Sequence, residues 1–241
     1  MTLQTMQARV LARLDDDPAG TGYHTGIDAA NGLNWAQRFF VLLSLCLEKS
    51  ATFSLTGATT WFKVRTTLTD WLLPLRVEVA NAKIRPARLA DLDALDAGWQ
   101  SSAGTPERYS LLGLELLAIY KQPAGTTSAS VTYARIPATM TGSGDSPEIP
   151  EEWHPVLIDG AVMYCRLKEG GQELDKVMPN LKRLVEGAGT LGNYVRQRSL
   201  DLRYDRLPSE IGRFDMSRML KVLEKRLKPA AIMDTKEALR G

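Results

Sequence analysis

The stretch from Pro150 to Arg203 constrains the fold more than any other part of the 241-residue chain. Pro150 pre-sets φ for a first helical turn, and Glu151 and Glu152 put negative charge where a helix dipole is positive. Trp153, Val156, Leu157, Ala161, Tyr164 and Leu167 then recur at intervals of three and four, which predicts one apolar stripe on one helix. Gly170-Gly171 breaks the pattern. A second, longer one runs through Leu174, Val177, Met178, Leu181, Leu184, Val185, Leu191, Tyr194 and Val195. Two amphipathic helices joined by so short a break fold back antiparallel most easily and bury their stripes together. Pro179 lies inside the second pattern, where proline removes a backbone hydrogen bond and costs about 3 kcal/mol. A kink, or a break near Met178, is expected.

The N-terminal segments supply what packs on this spine. Leu3, Met6, Val10, Leu11 and Leu14 mark a helix that ends at Asp15-Asp16-Asp17-Pro18. The acidic triplet and Gly20, Gly22 and Gly26 after it read as a solvated loop rather than paired catalytic carboxylates, because consecutive side chains point in different directions. Trp35, Phe39, Leu42, Leu43, Cys46 and Leu47 predict a second helix with a wide apolar face.

Between these helical ends the period switches to two. Phe53 and Leu55 alternate with Thr52, Ser54 and Thr56, and Leu75, Val77 and Val79 alternate with Arg76 and Glu78. Leu89, Leu92 and Leu95 interrupt with a short helix ending near Gly98. Tyr109–Leu112 and Leu114–Tyr120 flank Gly113 as a tight or bulged hairpin. Gln122–Gly125 is a turn, Val131 and Tyr133 belong to a further strand, and Ala138–Pro147 is an exposed loop. A parallel α/β sheet would alternate strand and helix throughout, and this chain does not. The expected class is α+β: an antiparallel helical bundle (1–50 and 148–206), an inserted strand-rich domain (51–147) forming an antiparallel sheet or sandwich, and an extended C-terminal tail (207–241).

Composition excludes several classes. With 44% hydrophobic and 24% charged residues the chain reads as ordinary globular protein, and the longest apolar run, Phe39–Leu47, is far too short for a membrane span. No secretory signal is expected in MTLQTMQARV. Cys46 and Cys165 lie in helical apolar patterns and are expected as buried free thiols. The net charge of +2 does not mark a nucleic-acid binder, but from Asp201 onward ten Lys/Arg face seven Asp/Glu, so the basic character sits in the tail. There Met216, Met219, Leu220, Leu223 and Leu227 form an apolar stripe, with Arg218, Lys221, Lys225 and Lys228 mostly on the other side. These nine residues are the candidate interaction site. A stripe at the end of a chain needs a cover: its own body, a neighbouring copy or a different protein.

Candidate chemistry is sparse. Gly187-Ala188-Gly189-Thr190-Leu191-Gly192 matches the dinucleotide fingerprint by letter, yet helical residues precede it and no βαβ unit surrounds it. A weakened or interrupted helix with close backbone packing is the better reading, and no cofactor is expected. His24 falls in the glycine-rich loop, and His154, beside Trp153 and Pro155, reads as exposed or capping. No metal-ligand spacing, nucleophile elbow or phosphate loop accompanies them. The sequence offers no catalytic site and no metal site.

Several stretches together carry a resemblance: ATFSLTG at 51–57, RPARLADLDALDAGW at 85–99, YSLLGLELLAIY at 109–120, VTY at 131–133 and PEIPEEWHPVLIDGAVMYCRLKEGGQELDK at 147–176. The combination, over about residues 1–200, resembles the head-to-tail adaptor proteins of tailed bacteriophages. It departs from them at Gly20–Gly32 and beyond Leu207. The resemblance implies a structural virion protein, made in the host cytoplasm and placed in the neck. Copies would form a ring of twelve joining portal protein to a tail or nozzle protein, with genomic DNA only as channel contents and no membrane. It further implies that the tail site, Asp215–Lys228, docks on the portal or between adjacent copies and orders on assembly. The alternatives are a tail-tube or nozzle subunit lower in the neck, a DNA-binding protein acting through the basic tail, and a hydrolase.

Overall fold

A computed structural model describes residues 1–16, 22–113, 115–169 and 173–202. The chain is α+β, with five α-helices and a seven-stranded mixed sheet among the described residues. It divides into two compact units, the first built on 1–44 and 138–193, the second on 45–137.

In the first unit α1 (Leu3–Arg13) turns Leu3, Met6, Val10 and Leu11 inward. Its opening N–H groups are satisfied from the 138–147 loop, Leu3 donating to the Asp145 carbonyl and Gln4 to that of Ser143. The loop is held in turn by Asn34, which donates to the Met140 carbonyl and accepts from the Met140 N–H.

Helix α2 (Gly26–Ser44) starts well before Trp35, so part of the expected glycine-rich loop is helix. The cause is a reciprocal cap. The Thr25 hydroxyl accepts from the Asp28 N–H while the Asp28 carboxylate accepts from the Thr25 N–H. The helix stops at Ser44 because Leu45 takes a left-handed φ of 55°. Cys46 therefore follows the helix, half-buried, whereas Cys165 is buried as expected. The wide apolar face divides in two. Leu33, Ala36, Phe40 and Val41 are fully buried, while Trp35, Phe39 and Leu43 pack partly buried against Met163, Val177, Leu181 and Val185.

The short helix α3 (Leu89–Leu95) belongs to the second unit, and in the first a 3₁₀ turn (Glu151–Trp153) leads into α4 (His154–Glu169). The expected single stripe on α4 is corrected. Leu157 and Ala161 are buried, but Tyr164 and Leu167 are exposed, and Ile158, Gly160, Val162, Met163 and Cys165 are buried instead. A helix covered by neighbours on several sides loses its single stripe.

The expected break at Pro179 does not occur: α5 runs from Glu173 to Leu202 as one helix. Val177, Leu181 and Val185, on both sides of the proline, share one buried cluster with Met163. Pairs between α4 and α5 run in opposite order, Val156 against Gly187 and Gly160 against Leu184, so the two helices are antiparallel. The expected Gly170-Gly171 break lies outside the described residues.

In the second unit the strands are β1 (Glu48–Leu55), β2 (Trp61–Lys63), β3 (Trp71–Val79), β4 (Ala82–Pro86), β5 (Arg108–Leu112), β6 (Leu116–Tyr120) and β7 (Thr127–Arg135). Their order is β1-β7-β3-β4-β5-β6-β2. The expected wholly antiparallel sheet is corrected at one place, where β4 and β5 pair parallel through Arg85–Arg108 and Pro86–Tyr109. The connection between them passes through α3, a crossover that returns the chain in the same direction. Pro74 is tolerated inside β3 because the register shifts there and β4 pairs only with Val77–Val79. Gly113, at φ 61°, makes the turn of the β5–β6 hairpin.

One core cluster joins Trp71, Val77, Ile84, Leu117, Ile119, Val131 and Tyr133, and a smaller one joins Leu92, Trp99, Ala118 and Tyr120. The Tyr133 hydroxyl donates to Asp70 at 2.7 Å, and Lys49 reaches the other carboxylate oxygen at 3.0 Å. Burial pushes the Asp70 carboxyl up, but those two hydrogen bonds outweigh it and hold it below the usual value.

Candidate functional site

The tail residues singled out from the sequence, Met216, Arg218, Met219, Leu220, Lys221, Leu223, Lys225, Leu227 and Lys228, lie outside the described residues. The described residues nevertheless present one feature at the end of the first unit where α2 begins and α4 finishes. Asp16 folds the chain after α1 back on itself, its two carboxylate oxygens accepting from the Tyr23 and His24 N–H groups at 3.1 Å each. This sets His24 inside and leaves Tyr23 outside, 1% and 61% exposed respectively.

His24 lies in the loop before α2, as its glycine-rich surroundings suggested, but its side chain is buried. Its Nε2 donates to Glu169 at 2.5 Å, fastening the start of α2 to the last residue of α4. Leu14, Asp16, Tyr23, His24 and Glu169 line a shallow hollow of about 350 Å³. Alongside it Lys168 binds Asp28 at 3.0 Å and lies 5.5 Å from the centre of the Tyr23 ring. The Thr25 backbone N–H, then Lys168, bring the Asp28 carboxyl down to about 2. Hydrogen bonding to Asp28 in turn raises the Lys168 ammonium.

Asp28→Ala removes both the cap and the Lys168 partner, and should cost about 1–2 kcal/mol at neutral pH. The folded carboxyl titrates below its unfolded value of 3.8, so its stabilisation is full above about pH 4 and is lost as pH falls toward 2. Thermal melts should therefore show a gap between wild type and variant at pH 7 that closes near pH 2. A gap independent of pH would refute the assignment.

Two further polar joints hold the helices that carry this face. Asp159, buried on α4, takes Arg13 of α1 at 2.6 Å and Arg183 of α5 at 3.5 Å. His154 is buried, which corrects its expected exposed or capping role. Its Nε2 donates to the Ile149 carbonyl at 3.0 Å, and Nδ1 accepts from the Met1 ammonium at 3.2 Å. Burial, ahead of the nearby carboxylates, pushes the Cys165 thiol up to about 12, so it stays protonated and inert at neutral pH.

Gly187–Gly192 sits inside α5 with no interruption. A Cβ on Gly187 would come within 3.2 Å of Trp153 and Val156, and one on Gly192 within 3.0 Å of the Ser44 Cα. Those glycines serve helix packing, and helix rather than strand leads into them, so they do not form the strand-to-helix turn of a phosphate-binding loop. Among the described residues no group of three His, Cys, Asp or Glu side chains could hold a metal ion, and no helix is long and apolar enough to cross a membrane.

What the described residues do offer is apolar surface. Tyr23 in the loop before α2, Ile27 on α2, and Tyr164 and Leu167 on α4 are all exposed, and the Lys168–Asp28 bridge joins the two helices. Trp35 lies 5.9 Å from Tyr164 and stacks on Phe39 at 5.0 Å. Sequence periodicity located Tyr164 and Leu167 but placed them in the core. Ile27 was missed, and the T-x-x-D cap at Thr25–Asp28 was the signal that would have found it.

Comparison with known proteins supplies the context for this arrangement. No curated protein matches the sequence. The family model described as SU10 adaptor protein matches residues 1–206. That span takes in every described element of both units, in agreement with the resemblance to phage head-to-tail adaptors, and the chain belongs to the SU10 adaptor protein family.

Proposed function

We propose that this chain is a structural virion protein, a head-to-tail adaptor subunit that assembles as a ring, of twelve copies by resemblance, between portal and tail. The observation that carries the reading is the family match over residues 1–206. In this reading residues 1–50 and 148–206 act as a helical bundle forming the body of each subunit, and 51–147 is the strand-rich insertion. Residues 207–241 are the docking tail. The ring lines the channel through which DNA leaves, in the neck of the virion, and its work is mechanical and calls for no catalytic group. The exposed apolar residues on α2 and α4 support the reading, because such surface in an adaptor subunit is accounted for by neighbours. Closed cyclic symmetry multiplies one modest interface around a ring.

Size-exclusion chromatography with light scattering tests it on the purified chain, alone and mixed with portal rings. Self-association or capture by the portal is the expected result, and removal of residues 207–241 should weaken capture at least about tenfold while leaving the circular dichroism of the body unchanged. A chain that stays monomeric at high concentration and ignores the portal would sink the proposal. Retention on duplex DNA at low salt would instead favour a DNA-binding protein acting through the tail.

A further inference from the structure

The apolar face at the α2–α4 end of the first unit has a shape, a charge and a position that select an occupant. Tyr23 and Ile27 stand on one side, Tyr164 and Leu167 on the other, and Trp35 lies half-buried beside Tyr164. The carboxylates of Asp16, Asp28 and Glu169 rim one end. The base facing them, Lys168, is engaged by Asp28. The face is therefore apolar with a net negative margin.

The sequence contains a segment of the opposite character. Met216, Met219, Leu220, Leu223 and Leu227 repeat at helical spacing, bordered by Arg218, Lys221, Lys225 and Lys228. An apolar stripe with basic flanks complements an apolar face with an acidic rim. We propose that the α2–α4 face is the receptor for residues 215–228 of a second copy of this chain. The inference rests on the adaptor-ring reading and names the interface that would close such a ring.

Chain length argues for the second copy over the same one. Helix α5 starts at Glu173, four residues after Glu169, so its first turn lies at the face. It then runs for 30 residues, which carries Leu202 about 45 Å away at 1.5 Å per residue. Residues 203–214 connect Leu202 to the stripe and span about 40 Å only when fully extended. Returning to its own face would stretch the connection to its limit. Reaching a neighbour presented to that end of α5 would not.

The test is complementation between two full-length variants. Ile27→Glu/Leu167→Glu spoils the face and keeps the tail, while Leu220→Glu/Leu223→Glu spoils the tail and keeps the face. Ile27 and Leu167 are exposed, so the fold should be unaffected, and circular dichroism checks this. Wild type should form higher oligomers in light scattering, and each variant alone should remain monomeric. An equimolar mixture should give a heterodimer, one sound face meeting one sound tail. Variants that each assemble like wild type overturn this inference and leave the ring reading intact. Variants that stay monomeric even when mixed overturn docking between copies. A wild type that never assembles, with or without portal, overturns the ring reading and this inference together.

A measurement free of folding effects uses a labelled peptide of residues 213–230 titrated onto the wild-type chain. Fluorescence anisotropy should show binding that competes with self-association and weakens several-fold from low to high salt. A peptide that binds portal rings but not this chain overturns the assignment.

Discussion

Trp71→Ala is expected to destabilise the second unit by about 4 kcal/mol, whereas Trp71→Phe should cost only about 1 kcal/mol. The indole is fully buried at the start of β3, with its ring centre 5.2 Å from that of Tyr133. Truncation to alanine leaves a cavity in a cluster fixed by strands on both sides, which cannot collapse to fill it. The same loss frees the Tyr133 ring, whose hydroxyl anchors Asp70 and through it Lys49. Phenylalanine keeps most of the ring. It also removes the indole N–H, which is buried without a hydrogen-bond partner and so is a burden on the folded state. Urea unfolding followed by far-ultraviolet circular dichroism measures both. Near-equal losses for the two variants would mean that the indole nitrogen contributes favourably, contrary to the geometry.

Gly160→Leu should be comparably damaging to the helical unit, at roughly 3 kcal/mol or more. A Cβ at Gly160 would lie 2.8 Å from the Ala36 Cβ and 3.0 Å from a Leu184 methyl. Leu184 can rotate aside, but the Ala36 Cβ is rigidly attached to the α2 backbone. Alanine at 160 gains about 1 kcal/mol of helix propensity and still meets that contact. A net loss of about 1–2 kcal/mol is therefore expected for Gly160→Ala. The second site decides the mechanism. Ala36→Gly should restore much of the loss when combined with Gly160→Ala, a coupling that thermal melts of the four proteins in the cycle would reveal. Additive losses would show that backbone strain, and not this contact, is responsible.

These sites also show what a sequence can and cannot disclose. The spacing of Leu3, Met6 and Val10 or of Val77 and Val79 follows directly from periodicities of 3.6 and 2, so α1 and β3 were legible. Strand β4 was not, because Ile84 is its single buried residue and one apolar position has no period. Strand β2, three residues long, is below the length at which alternation can be seen. The parallel β4–β5 pair depends on which strands meet after α3 crosses, a tertiary outcome absent from local pattern. His24 and His154 looked like surface residues because their partners, Glu169 and the Ile149 carbonyl, become neighbours only through turns in the fold. The tail stripe was read from spacing alone. The exposed α2–α4 face could not be, because Tyr164 and Leu167 obey the core period and only their surroundings leave them exposed.

The pairing of β1 with β7 has a consequence for how the chain finds its structure. The helical unit is assembled from two halves separated by about 90 residues, and closing so long a loop carries a sizeable entropic penalty before any helix contact forms. Glu48 sits opposite Ala134, and the Arg135 N–H reaches the Leu47 carbonyl, so the sheet holds its own two ends side by side. A sheet that forms first works as a clasp: with Leu47 and Arg135 already paired, the effective loop shrinks from about 90 residues to a few, and the search that remains is short.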